Sequence, residues 1–174
     1  MIKGNVVCIR NVKNEDLDLL YTLSNDFIDA GFYMPISLSS WTSFISEFKL
    51  NGFWVDFTGK LIIENFDGDI VGEAGFFKST HYINGREVYY RIFSGNRGKG
   101  YASDALNLLI KLFFESSSFS RLQAVTVNGN SESEHILIKN GFKKEGIMRS
   151  ARHFRGELVD LNLFSIIRKD WLSQ

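Results

Sequence analysis

The sequence predicts an α/β fold, a mixed and mostly antiparallel sheet flanked by helices, on three observations. First, residues 87–93 are rich in aromatic and β-branched types and read as a strand. They run through Arg97-Gly98-Lys99-Gly100-Tyr101-Ala102 into apolar residues at Ala102, Ala105, Leu106, Leu109, Leu112 and Phe113, the stripe of a buried helix. Second, the strand-like stretches 60–66 and 70–77 flank Asp67-Gly68, a strong hairpin signal. Third, the chain closes with a strand, a helix and a strand.

In order, residues 6–10 form a first strand, and Asn14-Glu15-Asp16 opens a helix reaching about residue 27. Acidic residues suit that helix's positive end. Ser39 or Ser40 opens a second helix through Lys49. After the 60–77 hairpin, Asn84-Gly85 makes a turn into the strand at Glu87. Past the long helix come a strand at 123–127 and a helix at 131–140 ended by Gly141. Residues 158–167 alternate as a last strand. At 174 residues and 44% hydrophobic content, the chain (1–174) is about one domain's worth, with a single substantial core.

A strand that opens through glycines into a helix N-terminus is a device for holding phosphate. Glycines let backbone come close to a ligand, and first-turn N–H groups point at it. Two familiar versions fail by count. A Walker loop needs glycine where Phe93 stands and Ser or Thr where Gly100 stands. A dinucleotide fingerprint needs glycine or alanine at Ser103. The alternative to any ligand is that the glycines merely build a tight turn.

What remains, Arg97-x-x-Gly100-x-Ala102, resembles the pyrophosphate loop of the Gcn5-related N-acetyltransferases (GNAT). Asn130-Ser131-Glu132-Ser133 followed by Ile136 to Phe142 looks like that family's Asn-x-x-Ser helix ending in Gly-Phe. Lys143 to Gly146 and Gly156 to Asp160 resemble the close of its ribosomal-protein N-terminal (Rim-type) branch. The resemblance implies a GNAT-like fold and acetyl transfer from acetyl-CoA to an amine by direct attack. The acceptor is left open between a peptide or ribosomal-protein N-terminus and a small amine such as an antibiotic or amino-acid derivative. A catalytically silent acyl-CoA sensor of the same fold is the alternative.

By the same resemblance, cosubstrate contacts fall on Ile92, Phe93, Ser94, Arg97, Gly98, Lys99, Gly100, Tyr101, Ala102 and Asn130. An oxyanion-stabilising backbone N–H is expected among residues 92–94. Ser133 is the candidate proton donor to the departing thiolate; otherwise Ser131 or Ser133 caps its helix, with Glu134 completing a capping box. Glu87 and Glu73 lead the candidates for general base, ahead of Asp160; each has the plainer reading of a solvated strand carboxylate. Some branch members carry a carboxylate ten residues after Gly-Phe, where this chain has Arg152. His135 and His153 are further relays, more ordinarily structural.

Aromatic residues crowd 27–57. Trp41, Phe44, Ile45 and Phe48 at helical spacing read as core. The loop aromatics Phe32, Tyr33, Phe53 and Trp54 are freer to face a ligand, with Phe32, Tyr33 and Trp54 the candidates to line an acceptor pocket. A polyamine site would show clustered carboxylates here, and only Asp26, Asp29, Glu47 and Asp56 appear.

Formal net charge is zero, which argues against nucleic-acid or anionic-membrane partners. A single Cys8 cannot form an internal disulfide, and with no signal-peptide pattern this points to the cytoplasm. No metal is called for. A homodimer is left open.

Overall fold

The structure, a computed structural model, describes residues 1–34 and 38–173; Pro35, within the aromatic segment, lies outside them. The strands are β1 (Ile2–Lys3), β2 (Val7–Asn11), β3 (Trp54–Val55), β4 (Thr58–Asn65), β5 (Ile70–Lys78), β6 (Gly85–Ile92), β7 (Arg121–Val127), β8 (Lys143–Phe154) and β9 (Glu157–Ile167). Among the described residues they form one sheet in the order β1-β2-β4-β5-β6-β7-β9-β8, with β3 paired to β4. Every pairing is antiparallel except β6 with β7. That pair is parallel because α4 (Tyr101–Ser116) carries the chain across between them. The remaining helices are α1 (Leu17–Ser24), α2 (Phe27–Ala30), α3 (Trp41–Asn51), α5 (Ser131–Lys139) and α6 (Arg168–Trp171).

Alternation along the strands divides the core. Leu61 and Ile63 of β4 join Leu106, Leu109 and Phe113 of α4 in the main cluster. Ile62, between them, faces a second cluster with Leu17, Leu20, Phe44, Phe53 and Phe93. Helices therefore cover both faces, α4 on one and α1 with α3 on the other. Trp54 packs against Phe57 and Phe76 on the main core.

Several boundaries differ from expectation, each for a local reason. The first helix is broken: Asp16 is buried, accepts from Lys13 N–H and pairs with Arg10, so residues 14–16 stay a 3-10 turn before α1. Asp26 then accepts from the N–H groups of Ile28 and Asp29, starting α2 as a separate turn. Asn130, not Ser131 or Ser133, caps α5 by accepting from Ser133 N–H. Gly85 is not a turn residue but the first residue of β6. A Cβ there would come within 2.2 Å of Arg121 O, so glycine permits the close approach of β6 to β7. β8 was not anticipated from the sequence at all. It is an edge strand, exposed along most of its length, with two register shifts against β9 that break any period.

Candidate functional site

The seam between β6 and β7 makes the site. Their ladder covers only Gly85 with Arg121, Arg86 with Leu122 and Glu87 with Gln123, after which the strands part. Phe93 N–H donates to Val71 O in register with β5, and hydrogen bonding alternates along a strand. The N–H groups of Tyr90 and Ile92 therefore point to the side β7 has left. A cleft of about 380 Å³ opens there, bounded by Tyr90 to Ile92, the loop before α4, the exposed side of α5 and residues 30–34.

The loop before α4 is shaped by glycine. Gly95, Gly98 and Gly100 have φ of 78°, 77° and 82°, in the left-handed region where other residues are strained. Gly98 and Gly100 face open space, so their need is conformational. The first helical bond of α4 runs from Asp104 N–H to Gly100 O, leaving the N–H groups of Tyr101, Ala102 and Ser103 free of helical acceptors. These donors and the positive helix end suit a pyrophosphate. Asp104, the acid of this turn, is turned away and accepts from the N–H groups of Val6 and Val7.

The cleft gathers Ile92, Arg97, Gly98, Gly100, Tyr101, Ala102, Asn130 and Ser133 from the sequence-expected set, with Phe32 and Tyr33 from the aromatic segment and His135 from α5. Phe93, Ser94 and Lys99 are outside its lining. Phe93 is buried in the second cluster, and Ser94 N–H donates to Asp29 at 2.6 Å. Lys99 is exposed and reaches Asn96 Oδ1. Arg97 braces the loop, donating to Ile92 O at 3.0 Å and Asp29 O at 2.6 Å.

The carboxylates expected as bases are elsewhere, and the one in the cleft lining is Glu132 of α5. Glu73 is buried and ion-paired with Lys60 at 2.7 Å and Arg91 at 3.7 Å. Glu87 accepts from Gln123 Nε2 where β6 still pairs with β7. Asp160 accepts from Ser150 N–H, and His153 points from edge strand β8. Trp54 lies on the main core, off the cleft.

Two features were missed from sequence. Tyr90 lines the cleft, its hydroxyl donating to Ser133 O at 3.4 Å across the seam. Burial pushes this phenol up to about 12, so it stays protonated near neutrality. Its alternation with Val88 and Ile92 was the available signal. The second is the buried pair of Arg91 with Asp29 at 2.5 Å. Burial alone would raise the Asp29 carboxyl, but hydrogen bonds from Ser94 and Arg91 outweigh it and hold it below its ordinary value.

The chain matches the Acetyltransferase (GNAT) domain family over residues 7–143, and it belongs to that family. An uncharacterized N-acetyltransferase, p20 of Bacillus licheniformis, is 31% identical over 112 residues, 64% of this chain and 62% of that protein. The ribosomal-protein-serine acetyltransferase of Escherichia coli is 25% identical over 58% of this chain and 56% of that protein. Both matches thus span less than two thirds of the relative's length. The spermidine N-acetyltransferase of Vibrio cholerae, solved with CoA and spermine, shares the fold with a TM-score of 0.83 and 16% identity. That likeness covers 95% of this chain and 98% of that one. No described helix is long and apolar enough to cross a membrane.

Proposed function

We propose that this protein transfers the acetyl group of acetyl-CoA to a free amine by direct attack, and that the amine is an α-amine. The observation that carries the reading is the coincidence, in one cleft, of the glycine-shaped α4 N-terminus, the unpaired edge of β6 and Ser133. Family membership supports it independently.

Within this scheme, the N–H groups of Tyr101 to Ser103 bind the pyrophosphate. Ile92 N–H serves as the oxyanion donor, because those of Phe93 and Ser94 are engaged by Val71 and Asp29. Ser133 donates to the departing sulfur. A thiol pKa near 8.5 makes this assistance modest. Cys8 is buried on β2 and takes no part as a nucleophile.

The acceptor class follows from the placement of the carboxylates. Glu73, Glu87 and Asp160 are each held by other protein groups outside the cleft. With none of these three in the cleft, where Glu132 and His135 of α5 are the carboxylate and imidazole present among the described residues, an acceptor that supplies its own neutral fraction is favoured. An α-amine with pKa near 7.7–8.0 is roughly a tenth neutral at pH 7, whereas an alkyl amine near 10.4 is neutral to less than about one part in a thousand.

Thiol release from acetyl-CoA against peptides, amino-acid derivatives, aminoglycosides and polyamines tests both parts. Turnover confined to α-amines, rising with pH through the amine's own pKa, is expected. CoA binding with no turnover on any amine would instead leave a sensor.

A further inference from the structure

Most arginines of this fold are matched. Arg10, Arg86, Arg91 and Arg121 each pair with a carboxylate, and Arg97 and Arg168 are held by backbone carbonyls. The distal half of β8 and its turn, which carry Arg149, Arg152 and Arg155, break the pattern, and the last two of these meet aromatic rings. Among the described residues, Arg152 has no hydrogen-bond or ion-pair partner. Arg155 uses only Nε, donating to Phe32 O at 3.1 Å. Both Nη atoms of Arg155 are thus left to bind.

These two cations are gathered by aromatic rings at the rim of the cleft. Arg155 lies 4.6 Å from the Phe32 centroid and 5.6 Å from that of Phe154; Arg152 lies 5.5 Å from Phe154. Phe32 and Phe154 are themselves 5.6 Å apart, and Phe32 lines the cleft. Arg155 is held there against its backbone preference. Its φ is 50° and that of Gly156 is 92°, the two-residue hairpin turn whose first position suits Asn, Asp or Gly. The acids of the facing strand are not paired with them: among the described residues Glu157 forms no ion pair, and Asp160 accepts from Ser150 N–H.

We propose that Arg152 and Arg155 form a subsite for a carboxylate carried by the amine acceptor. The inference rests on the acetyl-transfer reading above and narrows its acceptor. A guanidinium presents paired N–H donors that match a carboxylate, and stacking on a ring leaves that edge open. Two cations on one rim also disfavour polycations there. The carboxylate is either the α-carboxylate of a free amino acid or an acidic side chain near a peptide N-terminus.

Thiol release from acetyl-CoA with two matched acceptor pairs decides it. One pair is an amino acid and its carboxamide; the other is a short peptide with Glu or Gln at its second position. Throughout, kcat/KM is taken per neutral amine, because a free α-carboxylate raises the pKa of its own α-amine. At low salt, kcat/KM favours the acid member of one pair by about tenfold, the scale of one exposed charge-assisted contact. The responding pair identifies which carboxylate is read. Arg155→Gln and Arg152→Gln each bring that ratio toward one. Arg152→Gln leaves the turn and the bond to Phe32 untouched, so it serves if Arg155→Gln fails to fold. Equal turnover within both pairs by the wild-type protein overturns the subsite while leaving acetyl transfer standing. A ratio unchanged in both variants also overturns it. No thiol release with any amine overturns both readings.

Discussion

The loop before α4, in the wall of the cleft, and the turn between β8 and β9, beside Phe32 at its rim, both present positive charge, by opposite means. The loop does so with backbone: left-handed glycines and the free N–H groups of Tyr101 to Ser103. Its cationic side chains are secondary, since Arg97 donates to carbonyls and Lys99 is exposed, outside the cleft lining, and held by Asn96 Oδ1. The hairpin turn does so with the side chains of Arg152 and Arg155 on a two-stranded edge. A backbone site tolerates loss of charge but not of conformation, and a side-chain site the reverse.

The severest way to break the loop is therefore Gly100→Val. A β-branched residue at φ 82° carries strain of about 1–3 kcal/mol, or displaces the turn. CoA affinity measured by calorimetry falls about tenfold to a hundredfold; unchanged affinity would refute the loop's role.

Support for the loop is tested next by Asp29→Asn, which removes the negative charge and turns into an NH2 donor one of the two oxygens that accept from Arg91 and Ser94 N–H. Breaking this buried pair leaves Arg91 with only the longer contact to Glu73 and costs about 3 kcal/mol in urea unfolding at pH 7. The Asp29 carboxyl lies lower in the folded than in the unfolded chain. Its contribution is therefore complete above the ordinary carboxylate value near 3.9 and is lost as pH falls below it. The gap between wild type and Asp29→Asn should accordingly narrow in acid.

Smaller still is Ser133→Ala, expected to lower kcat by about fivefold at constant KM for acetyl-CoA, as loss of an auxiliary proton donor would. Full retention of kcat would end its role as a donor. Least of all, Lys99→Ala weakens CoA binding by no more than about threefold, the scale of one exposed charge. A larger loss would show that the loop relies on side-chain charge after all, and the contrast with the hairpin would fail.

Legibility in the sequence follows the same division. The loop could be read because backbone conformation demands glycine, and glycine is visible at Gly98 and Gly100. The hairpin at Asp67-Gly68 was visible too, with Gly68 at φ 90° and Asn65 Oδ1 accepting from Asp67 and Asp69 N–H. β8 was not, because the half-buried face of this edge strand carries Gly146, Met148 and Arg152 before Phe154, too mixed for a hydrophobic period, and its pairing with β9 shifts register twice. Trp54 was grouped with the pocket aromatics because composition alone does not say which face of the sheet a ring meets. The burial of Asp29, Arg91 and Glu73 is not legible in sequence either, because only the fold brings α2, β5 and β6 together.

The parting of β6 from β7 also shapes how the protein exchanges hydrogen with solvent. Most of the sheet's interior amides are locked in ladders, but those of Tyr90 and Ile92 face the gap rather than β5. In deuterated water they label early while Arg91 and Phe93, in register with β5, stay protected. An alternating stripe of labile and guarded amides thus crosses the middle of a nine-stranded sheet. Anything that fills the cleft would register there as slowed labelling of two residues.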